Sequence, residues 1–252
     1  MCIRDSLDTI NSFLNNINPS VIVNCAAYTN VDKAESEPKL ANTINCKAVD
    51  IISKWTSENN KKLIHVSTDY VFDGLSNVPL SENSKTNPVN EYGRSKLKGE
   101  IVCLKNDPNS IVIRTSWLYS SFGKNFVKTM ISLMKNNNTV KVVNDQIGSP
   151  TYANDLAKLI IEIIMNNKNK SGLFHYSNEG EISWFEFAKS IREFYNLDCK
   201  IIGVSSKQFK TLAKRPQYSL LNKSKIKATF NLEISDYKQS LKNCIEIIKN
   251  EA

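Results

Sequence analysis

An α/β architecture follows from the sequence: a doubly wound parallel sheet with a smaller α/β lobe towards the C-terminus. Three features carry that expectation. Short β-branched strings alternate with helical periods through the first two-thirds of the chain, as in strands joined by crossover helices. Right-handed crossovers then place helices on both faces of the sheet, and the last third of the chain is less regular. The composition is ordinary for a globular protein, with 252 residues, 41% apolar and 23% charged. That is enough to bury a core without disulfides or metal. We expect a sheet domain over residues 1–144 and a lobe mainly over 145–252, with some of its segments returning to the sheet.

The elements follow in order. Pro19 leads into Val21-Ile22-Val23-Asn24-Cys25-Ala26-Ala27, a run typical of a strand buried on both faces. A helix is expected over 38–57, with Leu40, Ile44, Ala48, Ile51, Ile52 and Trp55 on one side. Residues 62–67 read as a strand, and a polar loop extends to about Asn90. Helix 91–105, strand 110–114, helix 124–135, strand 139–143 and helix 153–165 come next. In the last third, 173–176 and 200–204 read as strands. Ser183-Trp184-Phe185-Glu186 has capping-box spacing and opens a helix to about Tyr195. A final helix covers 236–249.

Charge and cysteine usage narrow the function classes. The formal net charge is +8, and residues 200–252 hold 11 Lys/Arg against 4 Asp/Glu. Arg215 is the one arginine of that tail, so the arginine and aromatic readers of a nucleic-acid stripe are missing. A solvated Lys-rich face is the plain reading, and attraction of an anionic small molecule the sharper one. No apolar run approaches the roughly 18 residues of a membrane span, and residues 1–20 lack the order of a secretory signal. A cytoplasmic protein is expected. The six cysteines form no CxxC pair and only His65 and His175 could join them, which argues for free thiols and against zinc or iron–sulfur sites.

The chemistry centres on Tyr92-Gly93-Arg94-Ser95-Lys96. Four residues apart on a helix, Tyr92 and Lys96 share a face, and a neighbouring ammonium should lower the phenol's ordinary value of about 10. Such a pair can give a proton to a carbonyl oxygen or take one from an alcohol. Thr68 ends a strand, at the rim where open α/β sheets bind ligands, and its hydroxyl can bond the same oxygen. With nine tyrosines and 28 lysines, about one such spacing arises by chance. Its place after a strand ending in Ser-Thr is what raises it above a surface Tyr beside a solvated Lys.

Longer strings are more specific. Val23-Asn24-Cys25-Ala26-Ala27-Tyr28-Thr29-Asn30-Val31-Asp32-Lys33-Ala34-Glu35 and Ser67-Thr68-Asp69-Tyr70-Val71-Phe72-Asp73-Gly74 come first. Pro88-Val89-Asn90-Glu91 follows, leading into the Tyr92–Lys96 motif, and then Ile113-Arg114-Thr115-Ser116-Trp117-Leu118-Tyr119. Asp145-Gln146-Ile147-Gly148-Ser149-Pro150-Thr151 and Arg215-Pro216 complete the series. From about Ile17 onward the chain closely resembles the dTDP-4-dehydrorhamnose reductase family of extended short-chain dehydrogenases/reductases. That resemblance implies a Rossmann-like core and reduction of dTDP-4-dehydro-L-rhamnose in nucleotide-sugar and cell-surface polysaccharide biosynthesis. It further implies that Thr68, Tyr92 and Lys96 are the catalytic set, with Tyr92 protonating the sugar C4 oxygen while NADPH or NADH delivers hydride. By the same resemblance, Ala26, Ala27, Tyr28 and Thr29 line the cofactor, and Lys96 also holds its nicotinamide ribose. Thr68, Asp69, Trp117 and Val31 face the dTDP-sugar. Arg114 and Arg215 are candidates for its diphosphate, because guanidinium binds phosphate oxygens bidentately; a plain ion pair is the alternative for each.

Thr68 is followed by Asp69 and Tyr70, so the acidic pair of related dehydratases is absent and dehydration is disfavoured. Residues around Asn154 lack the acid of a family magnesium contact, and no metal is carried over; a homodimer remains open. The family's GxxGxxG loop has no match, since the first glycine is Gly74. We therefore expect the first βαβ unit to be missing, cofactor binding to suffer, and a helix near residues 7–17. Two alternatives stand: another sugar-nucleotide 4-ketoreductase or epimerase, and a non-catalytic subunit resembling that of methionine adenosyltransferase.

Overall fold

The computed structural model describes residues 8–166 and 169–250. The chain opens with α1 (Asp8–Ile17), β1 (Val21–Asn24), α2 (Val31–Ala34) and α3 (Pro38–Asn42). A π-helical turn (Thr43–Lys47) joins α3 to α4 (Ala48–Glu58). β2 (Lys62–Thr68) runs into a 3-10 turn (Asp69–Val71), and a loop leads to α5 (Glu91–Asn106). Next come β3 (Ile111–Thr115), β4 (Leu118–Tyr119), α6 (Phe126–Asn136), β5 (Thr139–Val143), β6 (Ile147–Gly148) and β7 (Thr151–Tyr152). The remainder is α7 (Ala153–Asn166), β8 (Gly172–His175), β9 (Ile182–Ser183), α8 (Trp184–Tyr195), β10 (Lys200–Val204), α9 (Ser224–Phe230) and α10 (Tyr237–Asn250).

The central sheet has the order β1-β2-β3-β8, parallel throughout. Because strand side chains alternate between faces, it buries two cores. Leu63 and Val112 face Ile10 and Leu14 of α1, Val49, Ile52 and Trp55 of α4, and Cys103 of α5. Ile64, Ile111, Ile113 and Phe174 face Leu156, Leu159, Ile160 and Ile163 of α7 and Ile226 and Phe230 of α9. Helices thus cover both faces, as the doubly wound expectation requires. Each fully buried Leu or Ile here contributes about 1.5–3 kcal/mol.

A third core builds the lobe. Val127 and Ile131 of α6, Val140 and Val142 of β5, Phe187 and Ile191 of α8, and Leu241 and Ile245 of α10 pack together. β5 pairs in parallel with β10, from Thr139 opposite Lys200 to Val143 opposite Val204.

α6 and β5 precede residue 144 yet pack in the lobe, which is where the packing departs from the expected division; α7, β8 and α9, from the later part, pack on the central sheet. The reason is local: β5 alternates exposed and buried residues, as a half-buried strand does, whereas β3 is buried along its whole length. The first strand is also shorter than expected. Asn24 Oδ1 accepts the Ala26 amide at 3.2 Å, a side-chain turn that ends the strand and frees the next residues as a loop at the sheet's carboxyl rim. The helix predicted over 38–57 forms in two parts around the π turn. The capping box is present at Ser183 and Glu186.

Candidate active site

The site is built where α5 meets the end of β2. Asn90 caps the helix: its Oδ1 accepts the Gly93 amide at 2.8 Å, and its Nδ2 donates to the Lys214 carbonyl at 2.8 Å. Gly93 lets the helix start lie against the 3-10 turn, since a Cβ there would sit 2.2 Å from the Tyr70 carbonyl oxygen. Tyr92 and Lys96 consequently face the last residues of β2. Lys96, 2% exposed, donates from Nζ to the Val66 carbonyl at 2.7 Å. The Thr68 hydroxyl neighbours the Tyr92 phenol and draws its pKa down. Thr68 Oγ1 accepts the Tyr70 amide at 3.2 Å and donates to Asp69 Oδ1 at 3.1 Å. The structure brings the sequence-predicted trio together.

Its electrostatics differ from expectation. Burial pushes Tyr92 up to about 12, and the Asp69 carboxylate beside it adds to the rise, against the pull of the Thr68 hydroxyl. Lys96 does not acidify the phenol in the free protein: its ammonium is engaged by the Val66 carbonyl. Burial brings Lys96 itself down to about 8, opposed mainly by Glu100. Tyr92 therefore keeps its proton at neutral pH, the state of an acid rather than a base. Asp69, 2% exposed, is raised by burial to about 6, opposed by hydrogen bonds from Ser219 and Thr68. Its Oδ2 is buried without a hydrogen-bond partner, the kind of vacancy a ligand hydroxyl fills.

On one side lies the loop after β1. Ala26 and Thr29 are exposed, and Ala27 and Tyr28 are half-buried. Asn45, fully buried in the π turn, accepts the Tyr28 amide at Oδ1 (2.8 Å) and donates to the Tyr28 carbonyl (3.1 Å) and to Ser95 Oγ (2.9 Å). It braces the loop against the helix that carries Tyr92 and Lys96. Sequence reading passed over Asn45 because nothing in a helical pattern announces a π turn, although such turns gather at functional sites.

On the other side is a cavity of about 900 Å³, bounded by Tyr70, Phe126, Trp184 and Arg215. Tyr70 stands edge-on to Tyr92 with ring centroids 5.5 Å apart, so one wall residue of the cavity packs on the phenol. Lys207, Lys210, Lys214 and Arg215 gather on its wall. Four of the tail's eleven basic residues thus line this cavity. Arg215 is fixed by Asp32 (Nη2 to Oδ2, 2.7 Å), which also accepts the Ala213 amide at 2.9 Å. Val31, half-buried, opens α2 one residue before that carboxylate.

Trp117 adopts φ +48° and stacks on Trp184, with centroids 3.7 Å apart and planes 11° apart. Its ring edge lies over Gly148, where a Cβ would approach it to 2.9 Å. Trp184, which the sequence reading used only as a helix start, is the indole on the cavity wall, and Trp117 backs it.

Arg114 is not in the site. It is 3% exposed and paired with Glu100, Nη2 to Oε2 at 2.7 Å and Nε to both oxygens at 3.0 and 3.1 Å. Phe72 covers it with the guanidinium carbon 5.1 Å from the ring centroid. No face is left for a phosphate, because β3 is a fully buried strand and a charge on it must find its partner inside.

Comparison with known proteins agrees with this geometry. The profile of a family described as the RmlD substrate binding domain matches residues 3–250. A dTDP-4-dehydrorhamnose reductase of Aggregatibacter actinomycetemcomitans is 38% identical over 247 residues, covering 94% of this chain and 84% of the relative. A crystal structure of a dTDP-4-dehydrorhamnose reductase from Clostridium acetobutylicum ATCC 824 superposes with a TM-score of 0.93 at 37% identity, over 97% of this chain and 86% of the other. One from Bacillus anthracis str. Ames in complex with NADP gives 0.92 at 37% identity, over 96% and 85%.

Proposed function

The chain belongs to the RmlD substrate binding domain family, and from that premise we propose that it reduces dTDP-4-dehydro-L-rhamnose to dTDP-L-rhamnose at the expense of NADPH. The observation that carries this reading is the Tyr92 phenol beside Thr68 at the end of β2, packed on Tyr70, which also walls a cavity lined by Lys207, Lys210, Lys214 and Arg215. That arrangement suits protonation of an oxygen at the end of a large anionic ligand.

Residues flanking the phenol fit the nicotinamide half of the cofactor. Ala26, exposed, and Ala27, half-buried, are small and follow Cys25, which neighbours Lys96, and Asn45 keeps their loop in place. Lys96 and the Tyr28-Thr29 stretch would hold the ribose end. When bound, NADPH supplies the hydride that becomes the C4 hydrogen of the sugar. Tyr92 gives its proton to the C4 oxygen, so a ketone gains two electrons and two hydrogens and becomes an alcohol. Thr68 orients that oxygen, and Lys96 disperses the negative charge left on the phenol, which solvent reprotonates. Asp69 Oδ2 accepts a sugar hydroxyl, Trp184 backed by Trp117 provides an apolar wall, and Val31 borders the same pocket. Arg215 and its lysine neighbours face the diphosphate. We place this reaction in the cytoplasm; no helix among the described residues is long and apolar enough to cross a membrane.

An isotope experiment tests the reading. With cofactor deuterated at the transferable position and dTDP-4-dehydrorhamnose as substrate, the product should carry one deuterium at C4 by mass spectrometry and NMR. Cofactor consumption without label in the sugar, or no consumption at all, would overturn it.

A further inference from the structure

α5 presents a third residue to the end of β2. Tyr92, Lys96 and Glu100 stand four residues apart in one stripe and engage Thr68, the Val66 carbonyl and Ser67 in turn. Glu100 is 2% exposed, and both of its oxygens are occupied. Oε1 accepts Ser67 Oγ at 2.5 Å and Arg114 Nε at 3.0 Å, while Oε2 accepts Arg114 Nη2 at 2.7 Å. Beyond Arg114, Nη1 lies 3.3 Å from His175 Nε2, and His175 Nδ1 faces the Leu80 carbonyl at 3.1 Å. Nδ1 therefore carries the ring proton and Nε2 accepts, so His175 adds no charge.

A buried ion pair is weak evidence for stability, since apolar residues of similar volume often serve as well. Two things an apolar pair could not do are hold the Ser67 hydroxyl and place a negative charge one turn from Lys96. The other titratable groups near that ammonium are Cys25 after β1, His65 on β2 and Cys103 on α5. Burial keeps both thiols protonated and His65 neutral. Glu100 is the anion in this set.

We propose that Glu100 is a positioning residue: it holds Ser67, and through it Thr68, against Tyr92, and its carboxylate is the counter-charge one helical turn from the buried Lys96. This rests on the reductase reading for its kinetic consequence but not for its electrostatic one.

Two variants and two readouts test it in the full chain. Lys96 is followed by NMR of 13C-labelled lysine, without ligand, alongside steady-state turnover. Glu100→Gln should move the Lys96 titration to lower pH than in wild type and reduce kcat about tenfold with KM within about twofold. Glu100→Asp keeps the negative charge opposite Arg114 but shortens its reach to Ser67. It should leave the Lys96 titration in place while kcat still falls about tenfold. A Lys96 titration that stays put or rises in Glu100→Gln would overturn the electrostatic role, because a merely loosened core admits water and raises it. Unchanged kcat in Glu100→Asp would overturn the positioning role. Absence of turnover in wild type would instead count against the reductase reading, and the Lys96 titration would still decide for or against Glu100.

Discussion

Tyr92 is pushed up to about 12 by burial and by the Asp69 carboxylate beside it, not because a cation is missing from its helix. The Tyr/Lys spacing was legible in the sequence since a helical turn fixes it locally. The effect of the lysine was not, because it depends on the Val66 carbonyl brought in by another strand. Arg114 shows the same limit: its partner Glu100 is on a different element, and only the central place of β3 makes the pair a buried one. Asp69 yields a prediction of its own. Its folded value, about 6, lies above the unfolded one of 3.8, so between those values the native state binds more protons and stability falls as pH rises. Asp69→Asn removes that cost. Thermal melts should show the variant more stable at about pH 8 by on the order of 2 kcal/mol, with the advantage gone near about pH 4. An equal or lower melting temperature at the higher pH would show that Asp69 is not held at a cost.

Among the elements, α5 does the most to place the chemistry, and its position depends on a residue with no side chain. At Gly93 a Cβ would meet the Tyr70 carbonyl at 2.2 Å, so Gly93→Ala forces the helix start away from the turn after β2. We expect a loss of about 1–3 kcal/mol in stability, together with a fall in kcat, because Tyr92 retreats with it. Denaturant unfolding and turnover measured on the same preparation check this, and a variant with wild-type values for both would contradict it. Most elements were readable, as strands from β-branched strings and helices from apolar periods. β5 could have been assigned to the lobe from its Thr-Val-Lys-Val-Val alternation. The π turn could not, since Ile44 and Ala48 continue the helical period while the backbone bulges to aim Asn45 inward. α9 was missed because its large apolar residues amount to a single pair one turn apart, Ile226 and Phe230, within a lysine-rich stretch.

At the scale of the whole molecule, three cores set two bodies beside each other: a parallel sheet whose carboxyl rim carries the phenol, and a lobe that supplies the aromatic wall. The lysine-rich tail crosses between them, tied to the cap of α5 through Lys214 and to α2 through Asp32. Its charge surplus was visible in the sequence, but only the fold brings Lys207, Lys210, Lys214 and Arg215 to one cavity. In the proposed reaction Tyr92 is the group that protonates the substrate. Steady-state NADPH oxidation with dTDP-4-dehydrorhamnose, by wild type and by Tyr92→Phe, tests that most directly when the affinity for the sugar nucleotide is measured in parallel. Loss of the hydroxyl should lower kcat by about 10²–10⁴-fold and leave binding within about twofold. Undiminished turnover in the Phe variant would contradict it.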